Sequence, residues 1–135
     1  MKQKFTRLWI ASKQARKQRK YRIHAPIHIK RKLISAHLSK ELRKKYGIRS
    51  IALRKEDSVK VMRGRFKGKT GKVAALNTKK EHVYIEGIQR TRKDGTKVSV
   101  PIQPSNLLLT SLVEDRKRFG KIKIKSEKTD KTEKK

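Results

Sequence analysis

Gly64 is followed, after three residues, by Gly68-Lys69-Thr70, a glycine-rich cationic cluster of a kind that holds phosphate. A phosphate loop of the NTPase type needs four residues between its glycines, then Gly-Lys-Ser or Gly-Lys-Thr, then a long helix whose N-terminus faces the phosphates. Here the spacer Arg65-Phe66-Lys67 is one residue short, and the apolar run that follows, Val73 to Leu76, is closed by Asn77-Thr78 at strand length. Both requirements fail. Glycines at 64, 68 and 71 suit a tight connection between two strands instead, supplying positive φ angles and close backbone approach. With Arg63, Arg65, Lys67, Lys69 and Lys72 around it, and the backbone of Gly68 within it, such a turn offers cationic and amide donors to phosphate.

Other chemistry finds little footing. His24 and His28 stand four apart, so two ligands could share a helix face, but no cysteine or nearby carboxylate completes a metal site. Glu81-His82 lacks the spacing of a zinc-protease helix, and no Ser, His and Asp set is recognisable. No catalysis, metal or cofactor is expected. The absence of cysteine also removes disulfides and thiol chemistry, which fits a reducing compartment.

The net charge of +30 on 135 residues sets the class of partner. Thirty uncompensated positive charges repel one another, and a polyanion must neutralise them; nucleic acid and anionic membrane are the two candidates. No apolar run approaches the roughly 20 residues of a spanning helix, and no signal-peptide pattern opens the chain. The charge is uneven. Residues 1–55 hold 19 Lys and Arg against Glu41, residues 56–113 hold 12 against five acids, and residues 114–135 hold 10 against five. The middle segment carries most of the Val, Ile and Leu, so the expected organisation is a basic helical extension over 1–55, a folded unit over 56–113 and a charged tail over 114–135.

The elements that must position these groups follow from periodicity. Residues 12–22 have helix formers and a cap candidate in Ser12 but no apolar stripe, which predicts a helix held by something anionic. Pro26 in a first turn, with Ile29, Leu33 and Ile34 at helical spacing, predicts a second helix. "LSKELRKKYG" predicts a third, capped by Ser39 and ended by Gly47, with Leu38, Leu42 and Tyr46 along one face. After Glu56-Asp57 the period becomes two. Val59 and Val61 open a strand, and "KVAAL", "HVYIEGI", "KVSVPI" and "NLLLTSLV" supply four more, with a hairpin signal at Asp94-Gly95. Five short strands with tight turns predict a mainly β protein, a small closed barrel. The tail "KIKIKSEKTDKTEKK" has the composition of a segment disordered when free.

The stretch "DSVKVMRGRFKGKTGKV" resembles the KOW motif, a strand, a glycine turn and a second strand found in ribosomal proteins and transcription elongation factors. "RKQRK", "APIHIKRKLISAHLSKELRKKYGIRS" and "VPIQPSN" extend the resemblance, over roughly residues 12–119, to the large-subunit ribosomal KOW proteins of archaeal and eukaryotic type, numbered twenty-four in bacterial usage and twenty-six in eukaryotic cytosolic usage. Three positions depart from that pattern: His24 where Asn is usual, Ala52 where Pro is usual, and Glu56 where Gly is usual. The resemblance implies an SH3-like five-stranded barrel with a basic N-terminal extension. It also implies a cytoplasmic place in the ribosome, bound to large-subunit ribosomal RNA and neighbouring ribosomal proteins near the peptide exit tunnel, with a part in subunit assembly and no homo-oligomer. Composition alone gives only a polyanion binder with a small β core. A KOW-type elongation module and a DNA-compacting protein are the alternatives; the first calls for a further folded domain, and the second is allowed by charge.

The contact candidates are spread along the chain. Arg16, Lys17, Arg19, Lys20 and Arg22 form a run that nothing else neutralises, so phosphate binding is expected there, with the arginines making the defined contacts. Lys30, Arg31 and Lys32, then Arg43, Lys44 and Lys45, then Arg49 and Arg54, continue it, and His24 and His28 either pack or hydrogen-bond to RNA. Phe66 at the tip of the glycine turn either plugs the barrel or stacks on an unpaired base, and Trp9 presents the same choice. Arg90, Arg92 and Lys93 flank Asp94 in a hairpin that is either solvated or an RNA contact.

Overall fold

The computed structural model describes residues 3–113 and Arg118. A 3-10 turn, Arg7–Ala11, precedes helix α1, Ala15–His24, and helix α2, Ile27–Leu33. Then come strand β1, Ser35–Leu38, helix α3, Lys40–Tyr46, and strand β2, Ser50–Ala52. The remaining strands are β3, Ser58–Val61, β4, Thr70–Asn77, β5, His82–Ile85, β6, Gln89–Thr91, β7, Lys97–Ser99, and β8, Leu107–Ser111. The molecule is mainly strands with accessory helices. Six strands form one mixed sheet in the order β2-β1-β8-β3-β4-β5, and β6 and β7 form a separate ribbon.

Alternation explains the sheet. Ala36 and Leu38 in β1, Val59 and Val61 in β3, and Leu107 and Leu109 in β8 all point to the same side and are buried, with Leu38, Val59 and Leu109 fully enclosed. Ile34, Ile51, Leu53, Val73, Val83, Ile85, Ile88 and Ile102 complete the core. Each fully buried Val or Leu contributes about 1.5–3 kcal/mol. Strand β1 runs parallel to β8, with His37 opposite Leu108, while the other neighbours are antiparallel.

Three expectations are corrected here. The described strands do not close into a barrel: β8 spends one edge on β3 and the other on β1, so the sheet runs on to β2 and keeps two ends. The second helix stops at Leu33, and Ile34 enters the core while Ser35–Leu38 becomes a strand. Four residues with one apolar spacing fit either period, and pairing with β8, some seventy residues away, decides; Leu38 therefore lies in the sheet, not on a helix face with Leu42 and Tyr46. Finally, α1 starts at Ala15, and Ser12 Oγ accepts from the Gln14 amide at 3.2 Å ahead of it. The helix is not held by charge alone. Tyr21, 5% exposed, stacks on Phe5 at 5.4 Å, and the Gln18 side-chain amide donates to the carbonyls of Trp9 and Ser12, each at 2.8 Å.

Helix α3 is held as its sequence dictates. Ser39 Oγ accepts from the Leu42 amide at 3.3 Å, and Gly47 at φ 66° donates its amide to the Arg43 carbonyl at 2.8 Å. The Asp94-Gly95 turn is formed, with Gln89 opposite Ser99 and Thr91 opposite Lys97. The segment 121–135, expected to be disordered when free, lies outside the described residues, as does the rest of the charged tail from residue 114, Arg118 excepted.

Candidate nucleic-acid interface

The glycine turn between β3 and β4 is built from inside. Gly64 and Gly68 take φ of 90° and 88°, which a side chain resists, and the turn's own bonds run from Lys67 to Gly64 at 3.0 Å, Gly68 to Val61 at 2.8 Å and Lys69 to Phe66 at 3.2 Å. Gly71 serves a different need. A Cβ there would lie 2.7 Å from the Glu86 carbonyl oxygen, so the close approach of β4 to the chain after β5 requires its absence. The amides of Lys67, Gly68 and Lys69 are spent on backbone carbonyls, so at those three positions phosphate would meet side chains. Arg63, Arg65, Lys67 and Lys69 are all exposed, as is Lys72 on β4.

Phe66 is half-buried and packs against the core, with the Lys69 ammonium 5.5 Å from its ring centroid. The ring thus packs partly on the sheet's core, with one cation laid on it. In the β6–β7 ribbon every residue from Gln89 to Ser99 is exposed, Arg90, Arg92 and Lys93 included. Asp94 fixes the tip: its Oδ1 accepts from Thr96 Oγ1 at 2.8 Å and from the Thr96 amide at 3.1 Å, and Gly95 takes φ 83°. Those two bonds, the hydroxyl first, hold the Asp94 carboxyl below the usual aspartate value.

On α1, Arg16, Arg19 and Arg22 are exposed, while Lys17 and Lys20 are half-buried. His24, His28, Arg31 and Lys32 are exposed as well. Lys30 has an internal task, since its Nζ donates to the Ile23 carbonyl at 2.9 Å near the negative end of α1. Arg43 Nε likewise donates to the Leu38 carbonyl at 2.9 Å, while Lys44, Lys45, Arg49 and Arg54 stand at the surface. Two clefts gather separate parts of this set. One, of about 290 Å³, brings Arg16, Lys17 and Lys20 beside Trp9. The other, of about 700 Å³, sets Arg31, Arg54 and Lys55 around an apolar floor of Ile34, Ile51 and Leu53.

Among the described residues no group of three or more His, Cys, Asp or Glu could hold a metal, and no helix is long and apolar enough to cross a membrane. His37 and His82 each bury an Nδ1 without a partner.

Sequence reading missed Arg118 and the role of Asp57. Asp57, which marked only the change of period, is fully enclosed, and Arg118 reaches it from beyond the last strand. The signal was an aspartate one residue before a core strand in a chain with eleven acids. Glu56, the departure beside it, sits at φ 68°, a conformation natural to the glycine usual there. Also missed was the aromatic pair Phe5 and Tyr21, whose spacing of sixteen has no local period.

Comparison with known proteins gives the chain its family. A family model that describes the eukaryotic L26 and archaeal L24 ribosomal proteins matches residues 12–125. The chain is 48% identical over 113 residues to a "Large ribosomal subunit protein uL24" of Korarchaeum cryptofilum, covering 82% of this chain and 86% of that protein. It is 46% identical over 115 residues to the protein of the same name from Methanosarcina barkeri, covering 84% and 99%. A match across that much of the chain makes this chain a member of the ribosomal protein family that comprises L26 of eukaryotes and L24 of archaea.

Proposed function

We propose that this chain is a structural constituent of the large ribosomal subunit, binding large-subunit ribosomal RNA near the peptide exit tunnel and supporting subunit assembly in the cytoplasm. It is a structural, non-enzymatic protein. One observation carries the RNA reading: the cations of α1, the glycine turn and the β6–β7 ribbon are held outward on ordered backbone, with almost no acids among them. Such cations neutralise phosphates where RNA helices converge, so that segments otherwise repelling one another can pack. In the same reading the strand, glycine turn and strand act as a KOW unit of SH3-like descent over residues 56–113. Residues 1–55 are its RNA-binding extension, tied to the sheet by β1 and β2, and residues 114–135 are its tail. Neighbouring ribosomal proteins are its other partners.

The test is competition between the 5′ part of large-subunit RNA and duplex DNA for the full chain, with salt varied. Preference for the ribosomal RNA is expected, with log affinity falling against log salt at a slope of roughly −7 to −9 if about ten phosphates are neutralised. Equal affinity for the two, or a slope near zero, would overturn the reading.

A further inference from the structure

We propose that the cleft between the Trp9 turn and helix α1 takes one unpaired nucleotide of RNA, with its base stacked on the Trp9 indole and its phosphate held by Arg16, Lys17 and Lys20. This deepens the RNA reading above and rests on it. The cleft is lined by Gln3, Trp9, Gln14, Arg16, Lys17 and Lys20, a set that contains an aromatic face, three cations, two amides and no carboxylate. Each part matches a part of a nucleotide: the indole offers a stacking platform, the cations meet phosphate, and the amides can donate to and accept from a base edge. An acidic peptide would satisfy the cations but leave the indole face unused. At about 290 Å³ the cleft is at the small end of ligand sites, with room for one nucleotide and none for a stacked pair.

The site is assembled before any ligand arrives. Gln18, from the middle of α1, donates its side-chain amide to the carbonyls of Trp9, Ile10 and Ser12 at 2.8, 3.2 and 2.8 Å, fixing the tryptophan turn against the helix that carries the cations. The Phe5–Tyr21 stack pins the chain on the other side of the turn. Ordering costs that a loose arm would incur on binding are thereby reduced. Trp9 does not serve the sheet's core, and its neighbours Leu8 and Ile10 are 82% and 68% exposed. Trp9 and Gln3 precede residue 12, where the family match begins, so the stacking side of the cleft lies outside the matched span and its cations lie within it.

Trp9 is the chain's single tryptophan, and its emission reports the cleft directly. The full chain is titrated with a single-stranded oligouridylate and with an RNA duplex of the same length, while anisotropy of a label on the RNA follows binding in parallel. Saturable quenching by the single strand is expected, with little from the duplex at equal phosphate. Trp9→Leu should weaken single-strand binding by about 5- to 150-fold and Trp9→Phe much less, with circular dichroism checking that the helix persists. Arg16→Gln keeps the fluorophore and should move the quenching curve to higher RNA concentration, which decides the matter if Trp9→Leu unfolds the turn. RNA binding with unquenched Trp9, or equal quenching by the duplex or by polyglutamate, would overturn this site and leave the RNA reading intact. No anisotropy change with any RNA would overturn both.

Discussion

Arg118 and Asp57 meet across 61 positions of chain through two parallel bonds, Nη1 to Oδ1 at 2.7 Å and Nη2 to Oδ2 at 2.8 Å. The aspartate is fully buried and the arginine side chain is 4% exposed. The carboxylate also accepts from the amides of Arg54 at 2.8 Å and Val113 at 3.2 Å, and the guanidinium donates to the Ala52 carbonyl at 2.8 Å. Four donors around one carboxylate join the end of β2, the approach to β3 and the chain beyond β8. A buried pair offsets its desolvation only when the remaining hydrogen-bonding capacity is used, as it largely is here.

Breaking that pair should therefore be costly. Arg118→Ala leaves an enclosed carboxylate without its counter-charge, and a loss of about 3–5 kcal/mol is expected in urea unfolding. Arg118→Lys keeps the charge but not the planar fork, so an intermediate loss is expected. An Arg118→Ala protein as stable as the parent would show that the pair does not hold the sheet.

Glu56→Gly should stabilise the protein. Glu56 lies at φ 68° and its amide donates to the Val73 carbonyl at 3.0 Å, so the turn fixes a conformation that a Cβ disfavours by about 1 kcal/mol or somewhat more. The added unfolded-state freedom of glycine takes back part of that gain. A rise in the urea midpoint with an unchanged slope is the expected result, and a fall would mean that the Glu56 side chain has a compensating contact.

These two positions also show what sequence can and cannot reveal. The glycine turn was legible because Gly64, Gly68 and Gly71 state a local backbone requirement, and α3 because Ser39 and Gly47 mark its ends. Strand β3 was legible from alternation, and β4 and β8 from short apolar runs between turn signals. The identity of β1 was not, because Ser35–Leu38 is settled by a partner near residue 108, and the open sheet follows from that one pairing. Of the interface, residue types revealed the cations, but not that Lys30 and Arg43 bind backbone carbonyls of the protein itself. Nor could composition join Asp57 to Arg118, since geometry across 61 residues leaves no periodic trace.

The tip of the β6–β7 ribbon should loosen in acid. Its Thr96 hydroxyl and amide lower the Asp94 pKa below the ordinary 3.8, so the carboxylate form is favoured by folding. A depressed folded value means that the contribution is fully present above the unfolded pKa and is lost as pH falls through the folded one. The Thr96 amide resonance should therefore titrate with a midpoint below the ordinary aspartate value, and Thr96→Val should raise that midpoint towards it. A midpoint at or above the ordinary aspartate value in the parent would contradict the bonding at the tip.

The cations themselves divide by what they touch. Arg16, Arg19 and Arg22 are exposed on α1, so changing all three to Gln should leave the unfolding transition nearly unmoved while weakening RNA binding. Each lost phosphate contact removes about 0.7–0.9 from the salt slope, and a fall of roughly 2 to 3 in its magnitude is expected if all three make one. Lys30→Gln should behave in the opposite way, because its ammonium donates to the Ile23 carbonyl at the end of α1: helix content should drop and the slope should change little. Measuring slope and helix content on both variants separates a cation that holds RNA from one that holds the protein. If Lys30→Gln shifted the slope as much as one of the α1 arginines, the internal bond would not be its main task.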